Sequence, residues 1–416
     1  MPYSIKPESI KTSEPWLNPR RIHRQALLLA IALWLGYAAT IATPGMRDRF
    51  GHLKGADFLH AYILGSIALD HRADALYDAT AQRAIGERLV PASAGDYFLP
   101  VYGPQYSLFW APFALLPYAW AAALWMLLSA VIYAACCYAI WSTCPNLHSQ
   151  ASTVALAAAA FPGFFSLITF GQNSALAIAA FTAAYFALRA RRALLAGFCL
   201  GLLAFKPQLA VVPAFVFTIA ALRPPTRRAA GKVVLGAILS LTLQFAITYA
   251  WYGRTPFIAY AHVLTHIGSA AKILEPKPYL MHSFRAFWNL LLPWSSVAFG
   301  LYILSAAVVV GLAIANWSEP APLHRRFAVM LLATVLVAPH LTVYDLVILA
   351  PAFLWIADSL VADPSPRQAW LLYLSFLLPF AGPLAMYTHV QLSVICLALL
   401  TLTQAANKAH GAFTEN

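Results

Sequence analysis

Residues 118–141 read YAWAAALWMLLSAVIYAACCYAIW, with no side chain that is charged at neutral pH. A helix of that length runs about 36 Å, which exceeds the roughly 30 Å of a bilayer's hydrocarbon core. Apolar and polar residues do not alternate along it, so the period of a barrel strand is missing. Lipid offers no partner for backbone N–H and C=O groups, and a single segment can satisfy them only as a helix. The stretch therefore reads as a transmembrane α-helix.

Similar runs recur outward in both directions, from Ala26 to Ala406. The 416 residues are 61% hydrophobic and 10% charged, against about 25% charged in a soluble domain. The fold class is an all-α polytopic membrane protein. Spans are expected at 26–43, 118–141, 151–169, 173–189, 193–205, 208–222, 229–251, 296–316, 326–339, 346–360, 368–383 and 388–406, about twelve in all. Residues 105–117, bracketed by prolines, either dip into the bilayer or cross it thinly. The first run follows a polar, proline-containing tail and reads as a true span, not a cleavable signal.

The net charge of +12 would suggest nucleic acid in a soluble protein. Here the positive-inside rule accounts for it. With the N-terminus inside, Lys6, Lys11, Arg20, Arg21, Arg24, Arg189, Arg191, Arg192, Arg223, Arg227, Arg228, Lys232, Arg325, Arg326, Arg367 and Lys408 fall on the inner side, sixteen of twenty-seven basic residues. Tails 1–25 and 407–416 are then cytoplasmic, and 26–406 forms one membrane domain. Loops 44–104 and 252–293 lie outside.

The first of these loops carries seven of the fifteen acidic residues. Two short helices are expected in it, about Asp57 to Asp70 and Ala79 to Leu89. The stretch Tyr97-Phe98-Leu99-Pro100-Val101-Tyr102-Gly103-Pro104 suits a stiff segment at the membrane interface. The second loop holds His262, His266, Lys272, Lys277, His282 and Arg285. The five cysteines, Cys136, Cys137, Cys144, Cys199 and Cys396, have no metal-site spacing and read as small core hydrophobes.

This topology gathers the polar clusters at the outer helix ends, and polar groups at membrane depth default to function. Asp57, at a helix start, reads either as a cap for free backbone N–H groups or as a working carboxylate at the membrane surface. Lys206 interrupts an apolar run. It reads either as a snorkelling lysine or as a phosphate ligand, with Pro207 breaking the helix beside it. Gly171-Gln172-Asn173 reads either as a tight turn or as a hydrogen-bonding rim for a sugar. In Pro339-His340-Leu341-Thr342-Val343-Tyr344-Asp345, the acid either pairs with His340 or orients it. No Gly-rich nucleotide loop, paired-Asp motif or metal-ligand spacing appears. A transferase built this way would take a lipid-linked donor and no metal.

Gly55-Ala56-Asp57-Phe58 followed by Tyr62 resembles the opening motif of glycosyltransferase family 87, also called domain of unknown function 2029, in the GT-C superfamily. The likeness continues through Ala75-Leu76-Tyr77-Asp78, Gly171-Gln172-Asn173, Lys206-Pro207, and Pro339-His340 with Tyr344-Asp345-Leu346, over about residues 26–400. Tyr102-Gly103-Pro104 departs from the Tyr-Pro-Pro often found in the family. The resemblance implies a GT-C-like fold and a polyprenyl-phosphate-sugar donor, often mannose. It also implies transfer outside the cell's cytoplasmic (inner) membrane to a glycolipid or glycan acceptor, with Asp57 at the catalytic acidic position.

The expected reaction is an inverting transfer with Asp57 as general base. Lys206, assisted by Arg285 or His340, is expected to bind the donor phosphate. His60, Tyr62, Gln172, Asn173, Gln208, Tyr344 and Asp345 are the candidates for binding sugar or acceptor. No cofactor and no nucleic-acid partner are expected. A transporter or flippase of lipid-linked sugars is the competing class, and an oligosaccharide polymerase or ligase is a third.

Overall fold

The computed structural model describes residues 17–96, 98–266 and 277–406. Expectations for residues 1–16, Tyr97, Lys272 and the tail 407–416 with Lys408 lie outside the described residues. Within them, regular structure is helical, and two isolated antiparallel bridges, Arg47–Leu53 and Met281–Thr342, are the extended pairings.

In chain order the helices are α1 (Pro19–Ile41), α2 (Ala56–Leu69), α3 (Ala79–Leu89), α4 (Gln105–Ala114), α5 (Tyr118–Trp141), α6 (Ala151–Ala159), α7 (Pro162–Phe170), α8 (Ser174–Arg189) and α9 (Ala193–Gly201). They continue with α10 (Pro207–Leu222), α11 (Arg227–Tyr252), α12 (Thr255–His266), α13 (Phe284–Leu291), α14 (Ser295–Ser318), α15 (Leu323–Val337), α16 (Ala350–Ala362), α17 (Pro366–Leu377), a single turn at Ala385–Thr388, and α18 (Leu392–Ala406). Local chemistry sets many of the ends. Asn18 caps α1 by accepting the Arg21 N–H at 2.9 Å, with Pro19 at the first helical position. Asp78 caps α3 by accepting from Thr80 and Ala81. The two helices expected in the first loop are therefore present, within a residue of their expected bounds.

Six helices are long and apolar enough to cross a membrane: Pro19–Ile41, Tyr118–Trp141, Arg227–Tyr252, Ser295–Ser318, Val343–Ala362 and Pro366–Thr388. A seventh span exists if Pro145–Ala159 and Pro162–Phe170, bent by 45° at Pro162, count as one. By helix length the expected dozen is thus not reached. Ser174–Arg189, Ala193–Phe205, Pro207–Leu222 and Leu392–Ala406 are apolar but short. Residues 105–117 are also shorter than a full span, since α4 has ten residues and runs about 15 Å. It lies against α2, where the Cα of Gly65 meets the Trp110 carbonyl too closely to admit a side chain.

The centre of the bundle is α15, whose residues Phe327 to Val337 are all buried. A helix that is apolar on every side belongs inside protein. Beside it, Gly197 on α9 faces the Val233 carbonyl, and Gly236 on α11 faces the Leu194 carbonyl. Small residues let these two backbones touch, which is how apolar helices pack where water supplies no driving force.

The bundle has two chemically distinct ends. Helix α8 leads from Ser174 to Arg189, α10 from Lys206 to Arg223, and the Val343–Ala362 segment from Asp345 to Asp358. At the second of these ends Asn146 bonds the Asp358 carboxylate, and Arg325 donates to the carbonyls of Gln404 and Ala405. The first-named residues all meet at the other end.

Candidate functional site

Helix α2 begins on Gly55, which takes a left-handed conformation (φ 67°) and leaves no capping side chain. Helix α7 ends on Gly171, also left-handed (φ 69°). The two turns press together: a Cβ at Gly171 would lie 3.1 Å from Phe58 Cβ and 3.3 Å from Gly55 Cα. Only glycine suits both the backbone angle and the space. Tyr118 at the start of α5 locks the first turn by donating to the Gly55 carbonyl at 2.8 Å.

This contact brings Asp57 against Gln172, 115 residues further along the chain. Gln172 Nε2 donates to Asp57 Oδ2 at 2.7 Å. Asp57 is half-buried and does not cap its helix, so the capping alternative is set aside. Its other oxygen, Oδ1, accepts no hydrogen bond from the described residues and is not sealed from the outside. Burial pushes the Asp57 carboxyl above the usual carboxylate range, and the Gln172 bond and the Lys206 charge oppose that rise, while Asp345 adds to it.

Asn173 follows, buried. Its Nδ2 donates to Tyr106 Oη at 2.6 Å and Tyr102 Oη at 3.3 Å, and those two rings stack at 4.1 Å. Its Oδ1 is buried without a partner. His60, one turn along α2 from Asp57, stacks on Phe98 at 5.3 Å and approaches Tyr102 at 5.6 Å. Burial lowers its imidazole to about 4, so it is neutral, and its Nε2 has no partner.

Ser174 opens α8 and joins the second group. Lys206 Nζ lies 2.6 Å from Asp345 Oδ1 and 2.8 Å from Ser174 Oγ, and Ser174 Oγ donates to the same Asp345 oxygen at 2.6 Å. The Tyr344 ring lies 4.9 Å from the ammonium. Asp345 Oδ2 accepts from the Thr342 N–H and hydroxyl, closing a capping box at the start of its helical segment.

A third group sits around residues 339 and 340. Arg285 Nη1 donates to the Pro339 carbonyl at 3.3 Å, and Gln208 Nε2 to the His340 carbonyl at 3.5 Å. Arg285 and His340 are half-buried. The segment before Arg285 holds this turn in place. Met281 pairs with Thr342, the His282 N–H donates to the Leu341 carbonyl at 3.1 Å, and His282 Nδ1 meets Ser393 Oγ at 2.7 Å. Burial lowers His282 to about 3.

The structure joins Asp57 to Gln172, Lys206 to Asp345 and Gln208 to the His340 turn, and it changes three of the sequence readings. Lys206 neither snorkels nor presents a free ammonium, because its charge is matched by a buried carboxylate. Asp345 does not pair with His340; its oxygens are taken by Lys206, Ser174 and Thr342. Tyr62 is a packing residue: its hydroxyl donates to the Leu116 carbonyl at 2.8 Å and its ring packs on Phe58 and Tyr118. Ser174, Tyr102 and Tyr106 join the site without a sequence signal that marks them. A serine after a turn reads as an ordinary helix start, Tyr102 falls in the stretch that reads as a stiff interfacial segment, and Tyr106 falls in the proline-bracketed apolar run. No group of three or more His, Cys, Asp or Glu suited to a metal ion occurs among the described residues.

These features define a multi-pass helical membrane protein with a polar site at one end of its bundle. The chain belongs to glycosyltransferase family 87, whose family model matches residues 99–339, more than half of the sequence. It is thus a membrane glycosyltransferase. The matched region contains Gln172, Asn173, Ser174, Lys206, Gln208 and Arg285 and stops one residue before His340; Asp57 lies ahead of it, and Tyr344 and Asp345 beyond it. No curated protein and no solved structure matches the chain.

Proposed function

We propose that the protein transfers a single hexose, mannose or one like it, from a polyprenyl-phosphate donor to a hydroxyl of a glycolipid or glycan, with inversion. Asp57 Oδ1 takes the acceptor's proton. The acceptor oxygen bonds to the anomeric carbon as the bond from that carbon to the phosphate oxygen breaks. The electron pair leaves with the polyprenyl phosphate. A single carboxylate suits this one-step displacement, because a double displacement needs a second carboxylate as nucleophile. A positioned base of this kind contributes about 10²- to 10⁴-fold.

The observation that carries the reading is the environment of Asp57, with one oxygen tethered by Gln172 and the other open beside a buried ion pair. Arg285 and His340 are the groups assigned to the leaving phosphate, whose charge they stabilise without a metal. Lys206, with its charge matched by Asp345, acts on that phosphate only through the turn it holds. Asn173, His60, Gln208 and Tyr344 are assigned to the sugar and the acceptor. The positive-inside rule puts the arginine-rich end in the cytoplasm, so the site faces outward and the lipid tail lies among the helices.

The test is incubation of membranes carrying the full-length protein with polyprenyl-phosphate mannose, followed by mass spectrometry and anomeric assignment of the product. The reading expects one added hexose of inverted configuration. Transfer of a whole oligosaccharide would favour the ligase class. Donor translocation without a covalent product would favour a flippase.

A further inference from the structure

Gln172 is hydrogen-bonded through both its backbone and its side chain. The Gln172 N–H donates to the Leu167 carbonyl at 3.0 Å, and the Gln172 carbonyl accepts from Trp125 Nε1 at 3.0 Å. The backbone is thereby fixed on both sides. In the side chain, Oε1 accepts the Asn173 N–H at 3.3 Å while Nε2 donates to Asp57 Oδ2 at 2.7 Å. The two amide ends are not interchangeable. A backbone N–H needs the oxygen, so the NH₂ end must face the carboxylate.

We propose that Gln172 is a positioning residue that holds Asp57 Oδ2 and thereby leaves Oδ1 as the oxygen that takes the acceptor proton. This rests on the reading of Asp57 as general base. A tether on one oxygen fixes the carboxylate's rotation. It also opposes the rise that burial imposes on this carboxyl, since a donor bond favours the charged state. The ionisable groups near this carboxylate are Lys206 and Asp345, as a charge-matched pair, and the hydroxyls of Tyr102, Tyr106, Tyr118 and Tyr344. None of them makes a hydrogen bond to it, so Gln172 alone among the described residues supplies a donor.

The experiment has two arms on the full-length protein. In the first, carboxyl ionisation is followed by infrared difference titration, and the Asp57 band is identified as the one lost in Asp57→Asn. Gln172→Met keeps the length of the side chain without the donor, and Gln172→Glu replaces the donor with an acceptor. Both should move the Asp57 midpoint to higher pH, Gln172→Glu further. In the second arm, transfer from polyprenyl-phosphate mannose should fall about tenfold more at the acid end of the pH profile than at its plateau in Gln172→Met. A purely structural glutamine would lower transfer equally at every pH and leave the band in place. An unmoved midpoint in both variants overturns the proposal. If the midpoint moves but Asp57→Asn still transfers sugar, the tether stands and the base assignment fails.

Discussion

Lys206 Nζ lies 2.6 Å from Asp345 Oδ1, with both side chains buried at one end of the bundle. Removing one partner leaves the other as an uncompensated charge. Lys206→Met is expected to cost about 3–5 kcal/mol of stability, and pairing it with Asp345→Leu should recover much of that loss. Thermal unfolding of the four proteins in detergent, treated as a double-mutant cycle, measures the coupling. An unchanged unfolding temperature with a raised KM for the donor would instead make Lys206 a direct phosphate ligand.

Gly171 is where the two turns of the site touch. Alanine there would take a left-handed conformation, costing about 1–2 kcal/mol, and would press on Phe58 Cβ and Gly55 Cα. The strain is relieved by separating the turns, which pulls Gln172 from Asp57. Gly171→Ala should therefore lose more than about tenfold in turnover, a larger effect than its modest destabilisation alone would cause. Parallel assays of unfolding and of kcat check this, and a variant with normal kcat would show that the turns need not touch.

Tyr62 offers the opposite case. Its hydroxyl ties α2 to the Leu116 carbonyl, so Tyr62→Phe should cost about 1 kcal/mol of stability and leave the KM for donor and acceptor unchanged. A raised KM would return Tyr62 to the binding residues.

Asp57 should be a liability for folding. Its carboxyl is raised above the unfolded value by burial, so the folded state binds its proton more tightly than the unfolded chain does. That contribution to stability is complete at pH values below the unfolded pKa and is lost as pH rises through the folded one. Asp57→Asn, which can still accept from Gln172, should unfold at a higher temperature than the native protein at neutral pH. The difference should shrink towards acid pH. A variant that is less stable at neutral pH would mean that the ionised form is favoured by the fold.

Much of this was legible in the sequence because the bilayer leaves few solutions. Apolar runs must be helices, and polar residues at their ends stand out. Asp57, Gln172, Lys206 and Asp345 were visible for that reason. Their pairing was not, since Lys206 and Asp345 are 139 residues apart and nothing local joins them. Tyr62 shares a motif with Asp57 but points to another neighbour, because residues five apart on a helix lie about 140° apart around its axis. The expected dozen spans exceed the six or seven that helix length supports, because α8, α9, α10 and α18 are apolar but short, and apolar composition marks burial in protein as readily as contact with lipid.

The central claim is that Asp57 accepts the acceptor's proton. The most direct test is the transfer rate of Asp57→Asn with polyprenyl-phosphate mannose, in membranes where the variant is inserted at native levels and unfolds cooperatively. Loss of about 10²-fold or more is expected, with donor binding retained. Near-normal transfer by that variant would contradict the account.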